Sequence, residues 1–211
     1  MEAATEYVYR EAGEGWAHSY LLPTLFQSLD RYRPSCVLEI GAGNGHVASL
    51  MSARGIRVQA IELSESGVEV ARRGYPSLSI DVGSAYDDLA GKYGKFNAVV
   101  SLEVVEHLMF PRAFARAVAD LLLPGGVAIV STPYHGYFKN VALALSGKMD
   151  EHFTALWDGG HIKFWSIRTL TALMSEVGLD LVECHRVGRI PALAKSMVLV
   201  ACKTPTNIVM S

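Results

Sequence analysis

Three alternating glycines, Gly41, Gly43 and Gly45, separate a short apolar stretch from a helical pattern that begins at His46. Glycine tolerates positive φ and lets a ligand approach the backbone, and a helix N-terminus offers free N–H groups. A strand, a glycine turn and a helix in this order form a corner that can bind a nucleotide or a carboxylate. Glu39 adds an acid inside the strand itself. This stretch therefore predicts a nucleotide-binding site.

Two common nucleotide-binding motifs do not fit these glycines. A phosphate-binding loop requires Gly-Lys-Ser/Thr after its glycines, and no lysine follows here. A dinucleotide fingerprint requires a third glycine at the position that His46 occupies, so a nicotinamide-dependent oxidoreductase is a poor alternative. Glu62 ends the next apolar stretch about 20 residues after Gly41, where an acid can accept hydrogen bonds from ribose hydroxyls.

Two histidines are candidates for acid–base chemistry, because imidazole readily exchanges a proton near neutral pH. His107 follows the fourth predicted strand, and His161 lies in an aromatic-rich region at residues 132–166. We predict that His161 or His107 takes or holds the proton of a substrate. His46 and His185 are assigned packing or surface roles.

No residue spacing predicts a metal site. The three cysteines lie in or beside apolar runs and lack zinc-binding spacing, so we expect reduced core thiols. Residues 150–152 form an acid–acid–histidine run, but adjacent residues in a row rarely face one ion.

The elements that position these residues alternate between strand-like and helical patterns, which predicts an α/β fold with a mostly parallel sheet. The predicted strands cover residues 36–40, 57–61, 78–82, 96–102, 127–131, 181–187 and 197–202, with the last at the edge of the sheet. The predicted helices cover residues 15–33, 46–54, 64–73, 111–123, 138–145 and 166–177, and a further short one opens at Ser84. Ligands of such sheets bind at the carboxyl ends of the strands.

Composition limits the class of protein. The 211 residues fit a single domain over residues 1–211, with an N-terminal helical segment at 1–35 and a variable substrate-side region at 132–166. The net charge of −2 does not indicate a nucleic-acid-binding surface, and no apolar run is long enough for a membrane span. The acidic first residues lack a signal-peptide pattern, so we expect a cytoplasmic location.

Several motifs in order resemble those of class I S-adenosylmethionine-dependent methyltransferases. The glycine pattern is similar to motif I of that family, and Glu62 occupies the place of its ribose-binding acid. Residues 96–107, FNAVVSLEVVEH, resemble its fourth-strand block F-D-x-V-x-x-x-E-V-x-E-H, and residues 121–126, LLLPGG, resemble its L-x-P-G-G turn. The chain is most similar in these blocks, and in Gly159-Gly160-His161 with Phe164 and Ser166, to small-molecule O-methyltransferases resembling ubiquinone-biosynthesis enzymes.

The resemblance implies a Rossmann-like, seven-stranded, mostly parallel sheet with an antiparallel last strand and helices on both faces. It implies S-adenosyl-L-methionine as cofactor, with S-adenosyl-L-homocysteine as product. The implied cofactor-binding residues are Glu39, Gly41, Ala42, Gly43, Asn44, Glu62, Leu63, Ser84, Ala85, Leu102 and Glu103. Ser84 departs from the family's G-D-A block, where an aspartate lies near the adenine. Backbone groups, Asp81 or Asp87 are the alternatives for adenine recognition.

The function that the resemblance implies is O-methylation of a small, partly apolar molecule. A protein that binds S-adenosylmethionine without catalysis is the main alternative, since intact glycines do not prove turnover. The identity of the acceptor and the oligomeric state stay open.

Overall fold

The computed structural model describes residues 7–204, so the acidic opening at 1–6 and residues 205–211 of the predicted domain lie outside it. Its helices are α1 (His18–Tyr32), α2 (His46–Ala53), α3 (Glu65–Gly74), α4 (Leu89–Tyr93), α5 (Pro111–Leu121), α6 (Tyr137–Leu145), α7 (Met149–Phe153) and α8 (Ile167–Ser175). Its strands are β1 (Cys36–Ile40), β2 (Arg57–Glu62), β3 (Ser79–Val82), β4 (Phe96–Leu102), β5 (Leu122–Pro133), β6 (Leu179–Val187) and β7 (Ser196–Lys203). Short 3₁₀ helices cover Val105–His107 and Pro191–Leu193.

The seven strands form one sheet in the order β3-β2-β1-β4-β5-β7-β6. Neighbouring strands from β3 to β5 pair in parallel, whereas β7 runs antiparallel to both of its neighbours. The predicted fold class is therefore confirmed, including the antiparallel last strand. The prediction that this last strand lies at the edge is wrong, because β7 lies between β5 and β6.

The position of β7 follows from its burial. All of the residues from Ser196 to Ala201 are buried, as expected of a strand with neighbours on both edges and cover on both faces. The edge strand β6 instead exposes or half-exposes most of its side chains.

Helices cover both faces of the sheet. One core cluster joins the sheet to α1, α2 and α3 through residues such as Leu25 and Met51, and the other joins it to α4, α5 and α8 through residues such as Phe114 and Leu170. The centre of the sheet is apolar on both sides: every residue of β1 is buried, including Glu39. A carboxyl group inside such a strand needs a specific reason to be there.

Two helix starts agree with the sequence, and one differs. Ser64 and Ser166 cap α3 and α8 through hydrogen bonds from backbone N–H groups, as their types predict. The helix expected to open at Ser84 begins instead at Leu89. The side chain of Asp88 caps it by accepting a hydrogen bond from the backbone N–H of Gly91 at 2.9 Å.

Strand β5 also begins earlier than the predicted residues 127–131. Leu122 already pairs with Phe96, and the register then shifts before Ala98 pairs with Val127. The proline–glycine turn is thus a bulge within the strand, where Gly125 takes a φ of +77°. No helix within residues 7–204 is long and apolar enough to cross a membrane.

Candidate functional site

A cavity of about 1530 Å³ opens at the carboxyl ends of the strands. All of the predicted cofactor-binding residues and both predicted catalytic histidines line it: Glu39, Gly41, Ala42, Gly43, Asn44, Glu62, Leu63, Ser84, Ala85, Leu102, Glu103, His107 and His161. Parallel strands bring these residues together, because their carboxyl ends meet at one edge of the sheet.

The glycine turn depends on conformations that other residues avoid. Gly41, Gly43 and Gly45 all have positive φ, between 56° and 77°. A Cβ on Gly45 would lie 2.7 Å from the Cβ of Ala71, so the third glycine lets α2 pack against α3. In the dinucleotide fingerprint the third glycine would lie one position later, at residue 46. Gly45 nevertheless serves a packing role.

Glu62 holds the glycine turn as well as facing the cavity. One of its carboxylate oxygens accepts a hydrogen bond from the backbone N–H of Gly43 at 2.7 Å, and the other accepts one from the backbone N–H of Ser64 at 2.9 Å. These bonds tie the end of β2 to the turn after β1. An acid at this position therefore shapes the predicted ribose site before any ligand binds.

Glu39 is a buried carboxyl group beside Glu62. Burial, followed by the charge of Glu62, raises the pKa of Glu39 to about 8, against a hydrogen bond from the backbone of Ala48. Its Oε2 atom has no hydrogen-bond partner within residues 7–204. A buried acid with an unsatisfied oxygen facing a cavity is suited to bind a cationic group such as an ammonium.

The loop that replaces the usual G-D-A block closes on itself. The backbone N–H of Ser84 donates to Asp87 at 2.8 Å, and Asp81 accepts a hydrogen bond from the hydroxyl of Tyr93 at 2.7 Å. Ser84 and Ala85 line the cavity, whereas neither aspartate belongs to its described lining. Of the open alternatives for adenine recognition, this arrangement favours the backbone of the loop.

Residues of the segment 7–17 pack on the glycine turn at the cavity, which the sequence did not predict. The backbone N–H of Tyr9 donates to Ser66, and the amide of Asn44 donates to the carbonyl of Gly13. The ring of Tyr9 packs so closely on the glycine turn that a Cβ on Gly43 would lie 2.9 Å from its hydroxyl. The sequence signal was only two tyrosines in a polar stretch.

Glu103 begins the turn after β4 with a φ of 55°, a left-handed conformation that is rare for an acid. Its carboxylate accepts hydrogen bonds from the hydroxyls of Ser131 at 2.8 Å and Ser196 at 3.1 Å. Burial raises the pKa of Glu103 to about 7, although these two hydrogen bonds act in the opposite direction. The strands β5 and β7 thus fix an acid at the centre of the cavity.

Glu106, His107 and His161 bring three ligand atoms to within 4.8 Å of one another. Oε1 of Glu106 lies 4.0 Å from Nε2 of His107 and 3.9 Å from Nε2 of His161, which is too far for hydrogen bonds. Both carboxylate oxygens of Glu106 are buried and lack a hydrogen-bond partner of good geometry in the described chain. The space between the three atoms can therefore accept a hydroxyl group or a divalent cation.

The protonation of this cluster follows from its surroundings. Nδ1 of His107 donates to the carbonyl of Gly159 at 2.8 Å, so a neutral ring keeps its lone pair on Nε2. Burial, followed by the charge of His107, lowers the pKa of His161 to about 4. Burial and the charge of Glu103 hold the pKa of Glu106 well above its usual range.

Glu106 was not among the predicted site residues. The sequence showed Glu106 in the block that resembles the fourth-strand block of the family. It did not show that the backbone carbonyl of Glu106 accepts hydrogen bonds from the N–H groups of Ile162 and Lys163. These contacts bring the segment that carries His161 over the end of β4. The prediction of no metal site stays a prediction, since these three residues form a possible ligand set.

The region at residues 132–166 supplies the far wall of the cavity. The Trp157 ring lies 5.9 Å from that of His107 and 5.5 Å from that of His161. Behind it, His135 stacks on Phe153, and both contact Phe164. Aromatic rings therefore line the cavity beside His107 and His161.

The sequence of this chain matches a known protein family and several curated proteins. Residues 14–184 match the family model described as a methyltransferase domain. Two curated proteins with the name ubiquinone biosynthesis O-methyltransferase are similar. The one from Dinoroseobacter shibae is 28% identical over 84% of this chain and 71% of its own length. The one from Thiobacillus denitrificans is 32% identical over 68% of this chain and 64% of its own length.

Other relatives of that name match a shorter segment. The protein from Caulobacter vibrioides is 36% identical over 53% of this chain and 45% of its own length. The chain thus spans about half the length of several curated relatives it matches.

Solved structures show the same fold at low sequence identity. Magnesium protoporphyrin IX methyltransferase from Synechocystis, with bound S-adenosylhomocysteine, superposes with a TM-score of 0.68 at 16% identity, over 87% of this chain and 82% of that one. The 1,6-didemethyltoxoflavin-N1-methyltransferase from Burkholderia thailandensis gives a TM-score of 0.63 at 19% identity, over 86% of this chain and 76% of that one. With the family model covering most of its length, the chain belongs to the class I S-adenosylmethionine-dependent methyltransferases.

Proposed function

We propose that this protein transfers a methyl group from S-adenosylmethionine to a hydroxyl oxygen of a small, partly apolar molecule. The observation that carries the proposal is the convergence of Glu106, His107 and His161 in the same cavity as the glycine turn. The name shared by the curated relatives supports oxygen as the acceptor atom.

The residues of the glycine turn fit the donor. S-adenosylmethionine supplies, when bound, a methyl group already activated by its sulfonium. In the proposal, Glu39 pairs with the ammonium of the methionyl part, the backbone of the glycine turn binds its carboxylate, and Glu62 accepts hydrogen bonds from the ribose. The unsatisfied Oε2 of Glu39 is the feature of this structure that fits such a group.

The histidine cluster is proposed to hold the acceptor. The acceptor oxygen forms its bond to the methyl carbon as the carbon–sulfur bond breaks, and its proton passes to Nε2 of His107. His107 suits this role because Gly159 fixes the opposite nitrogen as a donor. His161 stays uncharged near neutral pH because of its low pKa, so in the proposal its one ring N–H donates a hydrogen bond to the acceptor oxygen and positions it.

Turnover by single variants tests this assignment. The wild type, His107→Ala, His161→Ala and the control His185→Ala are assayed with S-adenosylmethionine and a panel of phenols and catechols, with mass spectrometry of the products. We expect the catalytic constant of His107→Ala to fall by about 10²–10⁴-fold, with unchanged affinity for S-adenosylhomocysteine. His185 lies on β6 beside Glu183 and does not belong to the cavity lining, so its variant should keep the full rate.

A divalent cation in the cluster is the second form of this proposal. One carboxylate and two neutral imidazoles form a suitable ligand set, and a cation there would bind and polarise the acceptor hydroxyl. Titration of the protein with Mn²⁺, followed by electron paramagnetic resonance, tests the site without requiring turnover. Binding that is lost in Glu106→Gln supports the cation, and an absence of binding leaves His107 as the base.

A protein that binds the cofactor without turnover remains the alternative function. Binding of S-adenosylhomocysteine, with no methylated product from any member of the acceptor panel, would favour that alternative. The predicted cytoplasmic location and the absence of a nucleic-acid partner stay predictions.

A further inference from the structure

The acids and the cations that line the cavity come from different parts of the chain. The acids that line it lie at the ends of β1, β2 and β4 or in the turns that follow: Glu39, Glu62, Glu65, Glu103 and Glu106. The cations that line it lie on the acceptor side, from α6 onward: Lys139, Lys148, Arg189 and Lys195. Glu39 and Glu62 lie at the proposed site of the cationic donor and Glu106 belongs to the proposed acceptor cluster, whereas neither assignment accounts for the cations.

Lys139 is the most unusual of these cations. Its side chain is only 9% exposed, although lysine is almost never fully buried without a partner. Its Nζ donates to the backbone carbonyl of Lys195 at 3.2 Å. No carboxylate lies within ion-pair distance of Nζ in residues 7–204. An ammonium has three donors, and burial without an anion is costly.

A second cation acts on Lys139. Burial, followed by the charge of Arg189, lowers the pKa of Lys139 to about 8. The charge of Glu103 opposes this effect, but the oxygens of that carboxylate already accept hydrogen bonds from Ser131 and Ser196. Two cations thus share one end of the cavity without an anion of their own.

Lys139 and Arg189 line the same cavity as Glu106, His107 and His161. The charge of Lys139 also makes the smallest of the contributions that lower the pKa of His161, after burial and the charges of His107 and His152. A single small molecule can therefore place one group at the cluster and another at Lys139. The lining of this cavity also contains Trp157 and Leu143, which suit an apolar or aromatic body.

We propose that the acceptor carries an anionic group, a carboxylate or a phosphate, which Lys139 and Arg189 bind while the cluster of Glu106, His107 and His161 binds its hydroxyl. This inference rests on the proposed methyl transfer and narrows its substrate class to hydroxylated acids. Lys139 supplies an ammonium that is already desolvated, and Arg189 adds a second, exposed cation to the lining of the cavity.

Paired probes that differ only in charge test the proposal. 4-Hydroxybenzoate is compared with its methyl ester, and 4-hydroxyphenyl phosphate with hydroquinone. Binding is measured by calorimetry to the wild type, with and without S-adenosylhomocysteine. We expect at least one anion to bind about tenfold or more tightly than its neutral partner, the range for a charge-assisted hydrogen bond. A preference for 4-hydroxybenzoate over its methyl ester indicates a carboxylate, and a preference for 4-hydroxyphenyl phosphate over hydroquinone indicates a phosphate.

Variants assign the preference to the two cations. Lys139→Met should abolish the preference for the anion, Lys139→Arg should retain most of it, and Lys92→Met on α4 should leave it unchanged. Arg189→Met is the second loss-of-charge variant, and its exposed position makes it safe for folding if Lys139→Met is unstable.

The outcomes separate this inference from the proposed function. Equal binding of the charged and neutral partners, no binding of any anion while S-adenosylhomocysteine binds, or a preference that survives both loss-of-charge variants would overturn the anion site alone. Failure of the wild type to bind S-adenosylhomocysteine would instead overturn the proposed function, and the probe titrations without it would still report on the anion site.

Discussion

Replacement of Glu39 by glutamine should change how the stability of the ligand-free protein depends on pH. Glutamine keeps the shape of the side chain and removes its titration. In the folded protein burial raises the pKa of Glu39 to about 8, against an ordinary value of 4.5. Between these values the folded state holds a proton that the unfolded state has released, so this group stabilises the fold less as the pH rises.

The magnitude follows from the two pKa values. Proton linkage with a folded pKa of about 8 predicts that wild-type stability falls by about 3.5 kcal/mol between about pH 5 and pH 8 through Glu39 alone. Glu103 and Glu106 have raised pKa values as well and act in the same direction, but they are present in both proteins. The difference between the wild type and Glu39→Gln therefore isolates Glu39.

Urea unfolding followed by circular dichroism measures this difference at several pH values. We expect the free energy of unfolding of Glu39→Gln, relative to the wild type, to rise with pH by about 3.5 kcal/mol over that window. Glu69→Gln, which replaces an exposed acid on α3, is the matched control and should show a nearly constant difference. A constant difference for Glu39→Gln would refute the reasoning, because it would mean that Glu39 is ionised at neutral pH in the folded protein.

Two further substitutions test the cofactor end of the cavity. Glu62→Ala removes the acceptor of two backbone hydrogen bonds and of the proposed ribose contacts, so affinity for S-adenosylhomocysteine should fall by about 1.5–3 kcal/mol in calorimetry; unchanged affinity would place the ribose elsewhere. Gly45→Ala combines left-handed strain with a clash against Ala71 and should cost about 2–5 kcal/mol of stability in urea titration. Gly55→Ala, with similar φ and open space around it, should cost only about 1–2 kcal/mol, and equal losses would show that packing at Gly45 is unimportant.

The sequence predicted which residues of the glycine turn and of the second strand line the cavity, because that end of the cavity is built from local patterns. A strand followed by glycines, and a second strand that ends in Glu62, determine both the elements and the edge at which they meet. Parallel pairing then aligns Val37 with both Val58 and Ala98, which brings three strand ends together. No long-range information beyond the alternation of strands and helices was needed.

The acceptor end depends on contacts between distant segments, which local patterns do not record. Glu106 and His161 are far apart in the chain, and hydrogen bonds from residues 162 and 163 to the carbonyl of Glu106 bring them together. Lys139 lies in a helical pattern where a lysine ordinarily faces water, so its burial could not be predicted. The place of β7 inside the sheet is a further case, since the order of antiparallel strands is set by tertiary packing.

The position of β7 has a consequence for the synthesis of the chain. A ribosome releases the segments of a protein from the N-terminus onward, and β7 comes after all the other described strands. Strand β6 emerges earlier, but in the native sheet it hydrogen-bonds only to β7 and leaves the edge of β5 to that strand. The nascent chain therefore presents the apolar residues 127–130 along an unpaired edge until residues 196–203 arrive. During that interval the protein is most exposed to aggregation and most dependent on chaperones.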